Sequence, residues 1–142
     1  MALGADWTLD ALRTRGDEFL PGLVGFRPVA LDEGRLEAEL EIVPRLRAPN
    51  GYLHAATIVA LADTACGYGC LAHLPEGAAN FTTIELKANF LGTAKEGTLR
   101  CVARGVHFGG TTQVWDATVT RVRDARTIAL FRCTQMILYE RR

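Results

Sequence analysis

The chain has 142 residues, of which 49% are hydrophobic and 23% are charged, and its 16 basic residues balance 16 acidic ones. This length fits one compact domain with a proper core, so we expect residues 1–142 to form a single domain. The balanced charge excludes a global basic field for nucleic acid, and charge or glycine interrupts every apolar run before the ~20 residues of a membrane helix. We therefore expect a soluble, cytoplasmic protein that binds neither nucleic acid nor membrane.

The first predicted element is a short amphipathic helix over residues 7–20, with Thr8 as its N-cap and Pro21-Gly22 as its end. Two strands are predicted next, over 23–31 and 35–43, joined by a tight turn. The second strand alternates apolar and polar residues, which predicts a sheet with one face in the core and one in water.

The character of the chain then changes. Between Ala48 and Pro75 the only formal charge is Asp63, and residues 55–72 lack the alternation of a strand. Because this segment is rich in Ala and Gly and is apolar nearly all round, it predicts a buried helix about 27 Å long.

After this helix the strand pattern returns, over 80–90, 98–107, 111–122 and 127–139. The order of elements predicts an α+β fold in which one long helix is wrapped by an antiparallel sheet. The four cysteines lie in apolar runs without CxxC spacing or a nearby His, so we expect buried free thiols and no metal site.

Local structure does not explain Asp63, because an ionised carboxylate in an apolar helix is costly unless it is paired or reaches water. One interpretation is structural, with the carboxylate bonded to a backbone amide or to the Thr64 hydroxyl. The other is a general base or nucleophile that faces a cleft. The pattern alone leaves both open.

His54 lies at the predicted start of the helix, where free N–H groups and the positive end of the dipole point outwards. The Ala55 N–H could hold a carbonyl oxygen there, while the imidazole could serve only to fix the loop. His54 and Asp63 are nine residues apart, so they lie ~13 Å apart along the axis and face opposite sides. If both act on one substrate, Asp63 must come from another subunit, which predicts at least a dimer.

The segment GYLHAATIVALADTA, residues 51–65, resembles the G-x-x-H-G-G-x-x-x-x-L-A-D-T-A signature of PaaI-like hotdog thioesterases. The resemblance continues in Thr82–Leu91 and in the closing strands, and it covers roughly residues 20–139. It implies a hotdog fold, with a long central helix wrapped by a five- to six-stranded antiparallel sheet. It also implies a homodimer or a dimer-of-dimers tetramer that hydrolyses aryl- or acyl-CoA at subunit interfaces.

In the family, the acidic residue that matches Asp63 is the general base or nucleophile, and the amide that matches Ala55 polarises the thioester carbonyl. The chain departs from the family twice: Ala55-Ala56 replace Gly-Gly, and the amide residue usually found six positions before the His is Ala48. The nearest replacement for that amide is Asn50. We therefore predict an enzyme without cofactor or metal, whose catalytic residues are Asp63, Ala55, His54 and Asn50.

Relatives often place a basic residue near the CoA phosphates at the position of Gly110, where we expect only a turn or a β-bulge. Other candidates for phosphate contacts are Arg104, Lys87, Lys95 and Arg121, each of which could equally be a solvated strand residue.

Three alternatives to the acyl-CoA thioesterase remain. A non-catalytic hotdog protein that binds an acyl-CoA or an aromatic acid is favoured by Ala55-Ala56 and by Ala48. A hydratase acting on an enoyl thioester lacks its motif here. A structural protein without a ligand would leave Asp63 without a purpose.

Overall fold

The computed structural model describes residues 2–141. Its helices are α1 (Leu9–Arg15), α2 (Leu20–Val24) and α3 (Ala55–Ala72), with a 3₁₀ turn at Pro44–Leu46. Its strands are β1 (Arg27–Asp32), β2 (Arg35–Glu41), β3 (Ala78–Phe90), β4 (Thr98–Phe108), β5 (Thr112–Arg121) and β6 (Thr127–Tyr139).

The strands form one antiparallel sheet in the order β1-β2-β4-β5-β6-β3. α3 packs across one face of this sheet, and the core between them includes the fully buried Trp115. The other face carries cross-strand ion pairs such as Arg100–Glu39. The predicted hotdog fold, with six strands, is confirmed.

α3 begins and ends where the sequence predicts, since a run of small apolar residues can be buried on nearly every side. Its glycines admit close neighbours: a Cβ at Gly69 would lie 2.7 Å from the Trp115 ring. By length and hydropathy α3 could also cross a membrane, but 61% of this segment is buried inside the protein, as in the core helix of a globular domain.

The predicted helix over residues 7–20 is wrong in extent, because α1 already ends at Arg15. The predicted N-cap is confirmed: the Thr8 hydroxyl accepts the Ala11 N–H at 3.2 Å. α1 is anchored by Leu12, its one buried side chain among these described residues. With only this one buried side chain to hold it against the core, α1 extends over little more than two helical turns.

Pro21 and Gly22 do not end a helix as predicted, but lie within α2. Proline fits the first turn of a helix, where its missing N–H would have no intrahelical acceptor. α2 ends at Gly25, which adopts the left-handed conformation at φ 79°. Because α2 uses residues assigned to the first strand, β1 begins at Arg27 instead of residue 23. The other strands start and end within two residues of the prediction.

β3 is the longer of the two edge strands of the sheet, with 13 residues. Within residues 2–141 it pairs only with β6, so its other edge presents free backbone N–H and C=O groups. Ile84, Leu86 and Phe90 on this strand are 53%, 43% and 47% exposed. A long, exposed, apolar edge is the kind of surface that pairs with another chain.

Candidate active site

His54 is the N-cap of α3, where an extended backbone (φ −71°, ψ 136°) leads into the helix. Its Nδ1 accepts the Ala56 N–H at 2.9 Å. A ring nitrogen that accepts a hydrogen bond carries no proton, so in the neutral ring the proton is on Nε2. The exposed imidazole therefore both caps the helix and offers an N–H donor at its entrance.

Ala55 is the first residue of α3, and its N–H has no acceptor anywhere in the described chain. Both Ala55 and Ala56 are exposed, so a ligand can approach this end of the helix. A free N–H at the positive end of a helix dipole favours an oxygen that gains negative charge. The geometry here is that of a donor for a carbonyl oxygen.

Asp63 is half-buried on α3, one helical turn before the buried Gly67. Its Oδ1 is completely buried and has no hydrogen-bond partner among the described residues. The structural interpretation requires a backbone amide or the Thr64 hydroxyl to bond this carboxylate. Neither of them bonds Oδ1. Burial raises the pKa of the carboxyl above its ordinary value. A desolvated carboxylate with a free acceptor is suited to take a proton or to attack a carbon.

α3 runs without a break from Ala55 past Asp63, so eight residues (from 55 to 63) separate them along the axis by ~12 Å. One chain therefore brings His54 and Ala55 together at the start of the helix but leaves Asp63 more than two turns away. The separation expected from the sequence holds in the folded chain.

Asn50 lies at the tip of the loop before α3, where its Oδ1 accepts the Tyr52 N–H at 3.1 Å. This bond closes a small turn and occupies the amide oxygen, while the NH₂ group donates to none of the residues that the structure describes. Ala48 opens the same loop and takes part only through its backbone: its N–H donates to the Tyr52 carbonyl at 2.7 Å, and its carbonyl accepts the Gly51 N–H at 2.9 Å. A catalytic role for Asn50 stays a prediction.

Sequence reasoning missed His73, which follows α3 directly and is fully buried. Its Nδ1–H donates to the Gly69 carbonyl and its Nε2 accepts the Gly34 N–H, both at 2.7 Å. Gln113 donates to the His73 carbonyl at 2.8 Å and accepts the Trp115 indole N–H at 2.8 Å. Burial lowers the pKa of His73, so the neutral ring ties the β1–β2 turn to the end of α3.

The four cysteines are free and buried, as predicted. Burial raises the pKa of Cys70 and of Cys101 to about 12, which keeps these thiols protonated and unreactive. Among residues 2–141, no group of three or more His, Cys, Asp or Glu side chains is arranged to hold a metal ion.

A cleft of about 620 Å³ lies beside the loop before α3 and does not include Asp63. Lys95 and Arg121 line it, together with Tyr52. The Arg121 guanidinium already binds Asp124 and the Thr93 carbonyl, and Lys95 lies 4.5 Å from the centre of the Tyr52 ring. This cleft carries none of the candidate catalytic side chains. Gly110 lies in the β4–β5 turn, as predicted.

Residues 50–128 match the family model of the thioesterase superfamily. The 1,4-dihydroxy-2-naphthoyl-CoA hydrolase of Escherichia coli K12 is 32% identical over 111 residues, 76% of this chain and 79% of that protein. A mutant thioesterase from Pseudomonas aeruginosa has a structure with a TM-score of 0.90 at 26% identity, covering 96% and 97% of the two chains. The Escherichia coli PaaI protein, at 23% identity, has a TM-score of 0.79 over 91% and 89% and supports the fold alone.

Proposed function

This chain belongs to the thioesterase superfamily and is a hydrolase of CoA thioesters; on that premise we propose that it hydrolyses an aryl- or medium-chain acyl-CoA at a subunit interface. The resemblance to PaaI-like hotdog thioesterases is confirmed for family and fold. The observation that carries the proposed mechanism is the buried, unpartnered Oδ1 of Asp63. A native protein rarely leaves such an oxygen unbonded unless a ligand or water uses it.

In the proposed reaction, the thioester carbonyl accepts the Ala55 N–H at the start of α3. Asp63 either removes a proton from water, which then attacks the carbonyl carbon, or attacks that carbon itself and is released by water. The C–S bond breaks as the tetrahedral intermediate collapses, and the proton from water ends on the CoA thiolate. The products are the free acid and CoA, and the Ala55 N–H and the helix dipole stabilise the intermediate oxyanion.

The ~12 Å between Ala55 and Asp63 requires that the two act from different subunits. The exposed edge of β3 supports such an assembly, because two copies of this edge can pair and join their sheets. We propose a homodimer, or a tetramer built from two such dimers, with one subunit's Ala55 opposite the other's Asp63.

A second candidate is a protein that binds an acyl-CoA or an aromatic acid without hydrolysing it. It is favoured by Ala48, which offers no side-chain amide, and by Asn50, whose amide oxygen is occupied by the Tyr52 N–H. Both observations concern the group that would orient the attacking water. The binding protein would need neither that group nor a reactive Asp63.

Thiol release from a panel of aryl- and fatty-acyl-CoAs, with wild type beside Asp63→Asn, tests the mechanism. We expect turnover by wild type and a loss of about 10²–10⁴-fold in the variant. The matched control is Asp116→Asn, the same chemical change on the exposed sheet face, which should keep wild-type activity.

Stability separates a catalytic loss from a folding defect. Because the folded pKa of Asp63 is raised, its contribution to stability is present below its unfolded pKa and is lost as the pH rises through the folded pKa. At neutral pH Asp63→Asn should therefore unfold at no lower denaturant concentration than wild type. An active Asp63→Asn enzyme would overturn the mechanism, and a wild type that binds thioesters without releasing thiol would favour the binding protein.

A further inference from the structure

Gly67 lies one helical turn beyond Asp63, on the same face of α3. A Cβ at this glycine would lie 3.0 Å from Cζ and 3.4 Å from Cε2 of Phe81, which projects from β3. The ring of Phe81 therefore touches the helix backbone next to the candidate carboxylate. Any larger residue at position 67 would have to displace the ring.

Apart from Thr83, which donates to Gln135, the inner face of β3 is apolar, but it is closely covered only at the Phe81 end. Leu86 and Phe90 are on that face, because they pair with the buried Cys133 and Ala129 of β6, yet they are about half exposed. Past the far end of β3, Ala94 accepts the Leu53 N–H just before α3. The gap between α3 and β3 is thus open towards the start of the helix and closed where Phe81 meets Gly67.

We infer that Phe81, seated on Gly67, is the end wall of the acyl pocket and sets the length of the acyl group. This inference rests on the proposed function, since it takes Asp63 as the point of attack. A reacting carbonyl carbon must come within ~3–3.5 Å of the attacking atom. The Phe81 ring begins about one turn, or ~5.4 Å, further along the helix.

An acyl group that extends from this carbon towards the end of α3 meets the ring after about one helical turn. A flat aryl group or a short chain fits that space, and an aryl group can pack against the edge of Phe81. A long alkyl chain does not fit unless the ring moves. Phe81 thereby favours aryl- and short- to medium-chain acyl-CoAs over long-chain ones.

The test compares kcat/KM over a series from butyryl- to palmitoyl-CoA, with phenylacetyl-CoA added, for wild type, Phe81→Ala and Phe81→Leu. We expect the preferred chain to lengthen in both variants, more in Phe81→Ala. The ratio of long-chain to short-chain kcat/KM should rise roughly tenfold or more, the scale of a hydrophobic size filter. Phe81→Leu keeps most of the packing and so guards against misfolding of the alanine variant.

Phe26→Ala is the matched control, because Phe26 packs against Tyr68 on the same helix, with ring centroids 5.3 Å apart. It removes the same side-chain volume away from Gly67 and should leave the length preference unchanged. Gly67→Ala should act in the opposite sense to Phe81→Ala, since its methyl group pushes the ring into the pocket.

Binding of acyl-CoA thioethers, which cannot be hydrolysed, separates this inference from the proposed function. If wild type binds the thioethers but hydrolyses no thioester, the proposed hydrolysis is excluded. In that case, a shift of thioether binding towards longer chains in Phe81→Ala still supports Phe81 as the end wall. If Phe81→Ala changes kcat/KM and thioether binding by the same factor at every chain length, Phe81 is not the end wall, even if the enzyme is active. Absence of both turnover and binding would overturn both.

Discussion

The two ends of α3 each carry a histidine, and the protein uses them in opposite ways. At the start, His54 is exposed, and its Nδ1 accepts the hydrogen bond that caps the helix, which leaves Nε2–H free. At the end, His73 is fully buried and both ring nitrogens are bonded. The same side chain is thus available to a ligand at one end and part of the scaffold at the other.

The same division extends along the helix. The first half holds a backbone donor and a buried acceptor that bond no described residue, the Ala55 N–H and Asp63 Oδ1. The second half is packed closely, with Gly69 under the Trp115 ring and His73 in a chain of hydrogen bonds. Unsatisfied polar groups cost stability, so their concentration in one half marks the part of the helix kept for binding.

Of the changes at the two ends of α3, the largest effect is expected from Ala55→Pro, which removes the free donor at the start of the helix. Proline lacks an N–H but is well tolerated as the first residue of a helix, and the extended backbone of His54 suits the residue before a proline. We expect kcat to fall by about 10²–10³-fold, the usual loss for one oxyanion donor. Unfolding in denaturant should show little change in stability.

Ala55→Gly is the control for this variant, because it removes the methyl group and keeps the N–H. It should remain active. Mixed dimers add a test across the interface: Ala55→Pro with Asp63→Asn restores one intact site per dimer if the two residues act from different subunits. Full activity of Ala55→Pro would show that the free donor has no part in the reaction.

At the other end of the helix we expect an effect on stability and not on activity. His73→Phe keeps a ring of similar size but leaves the partly buried Gly34 N–H without its acceptor. Such an orphaned donor costs about 1–3 kcal/mol in the free energy of unfolding. Activity per folded molecule should be unchanged, since Asp63 is ten residues away, ~15 Å along the axis. A catalytic defect in folded His73→Phe would contradict the division of α3 into two halves.

The smallest expected effect is on the pH dependence of stability. Burial holds the folded pKa of His73 below its ordinary value of 6.5, against the opposing influence of Glu33. The unfolded chain therefore binds the proton more readily, so the contribution to stability is complete above pH 6.5 and is lost as the pH falls towards the folded pKa. Denaturant unfolding between about pH 5 and 7.5 should show this slope in wild type and a weaker one in His73→Phe. Equal slopes would contradict a buried neutral His73.

The sequence was sufficient for the elements whose pattern is unambiguous. α3 was predicted from end to end, because a stretch without charge except Asp63 is unlike the alternating strands around it. The N-terminal segment was predicted less well, since Pro21 can begin a helix as well as end one. The distinction depends on Gly25 and on packing against α3, which local sequence does not reveal.

For the site, the sequence pointed to Asp63, and the structure adds that its Oδ1 bonds none of residues 2–141. His73 could not be found in the same way. Its acceptor role depends on the Gly34 N–H, 39 residues earlier in the chain, and its burial on a sheet that forms only on folding. The position of a histidine just after a helix predicts neither its acceptor role nor its burial.

The pairing of β3 with β6 also has a consequence for synthesis on the ribosome. β3 ends at Phe90, but its partner is not complete until Tyr139, 49 residues later (139 − 90). At ~5–20 residues per second, the strand waits roughly 2–10 s for that partner. During this interval the nascent chain carries an unpaired β3 with Ile84, Leu86 and Phe90, which are apolar side chains that a chaperone could cover. The sheet can be completed only after β6, Thr127–Tyr139, has been synthesised.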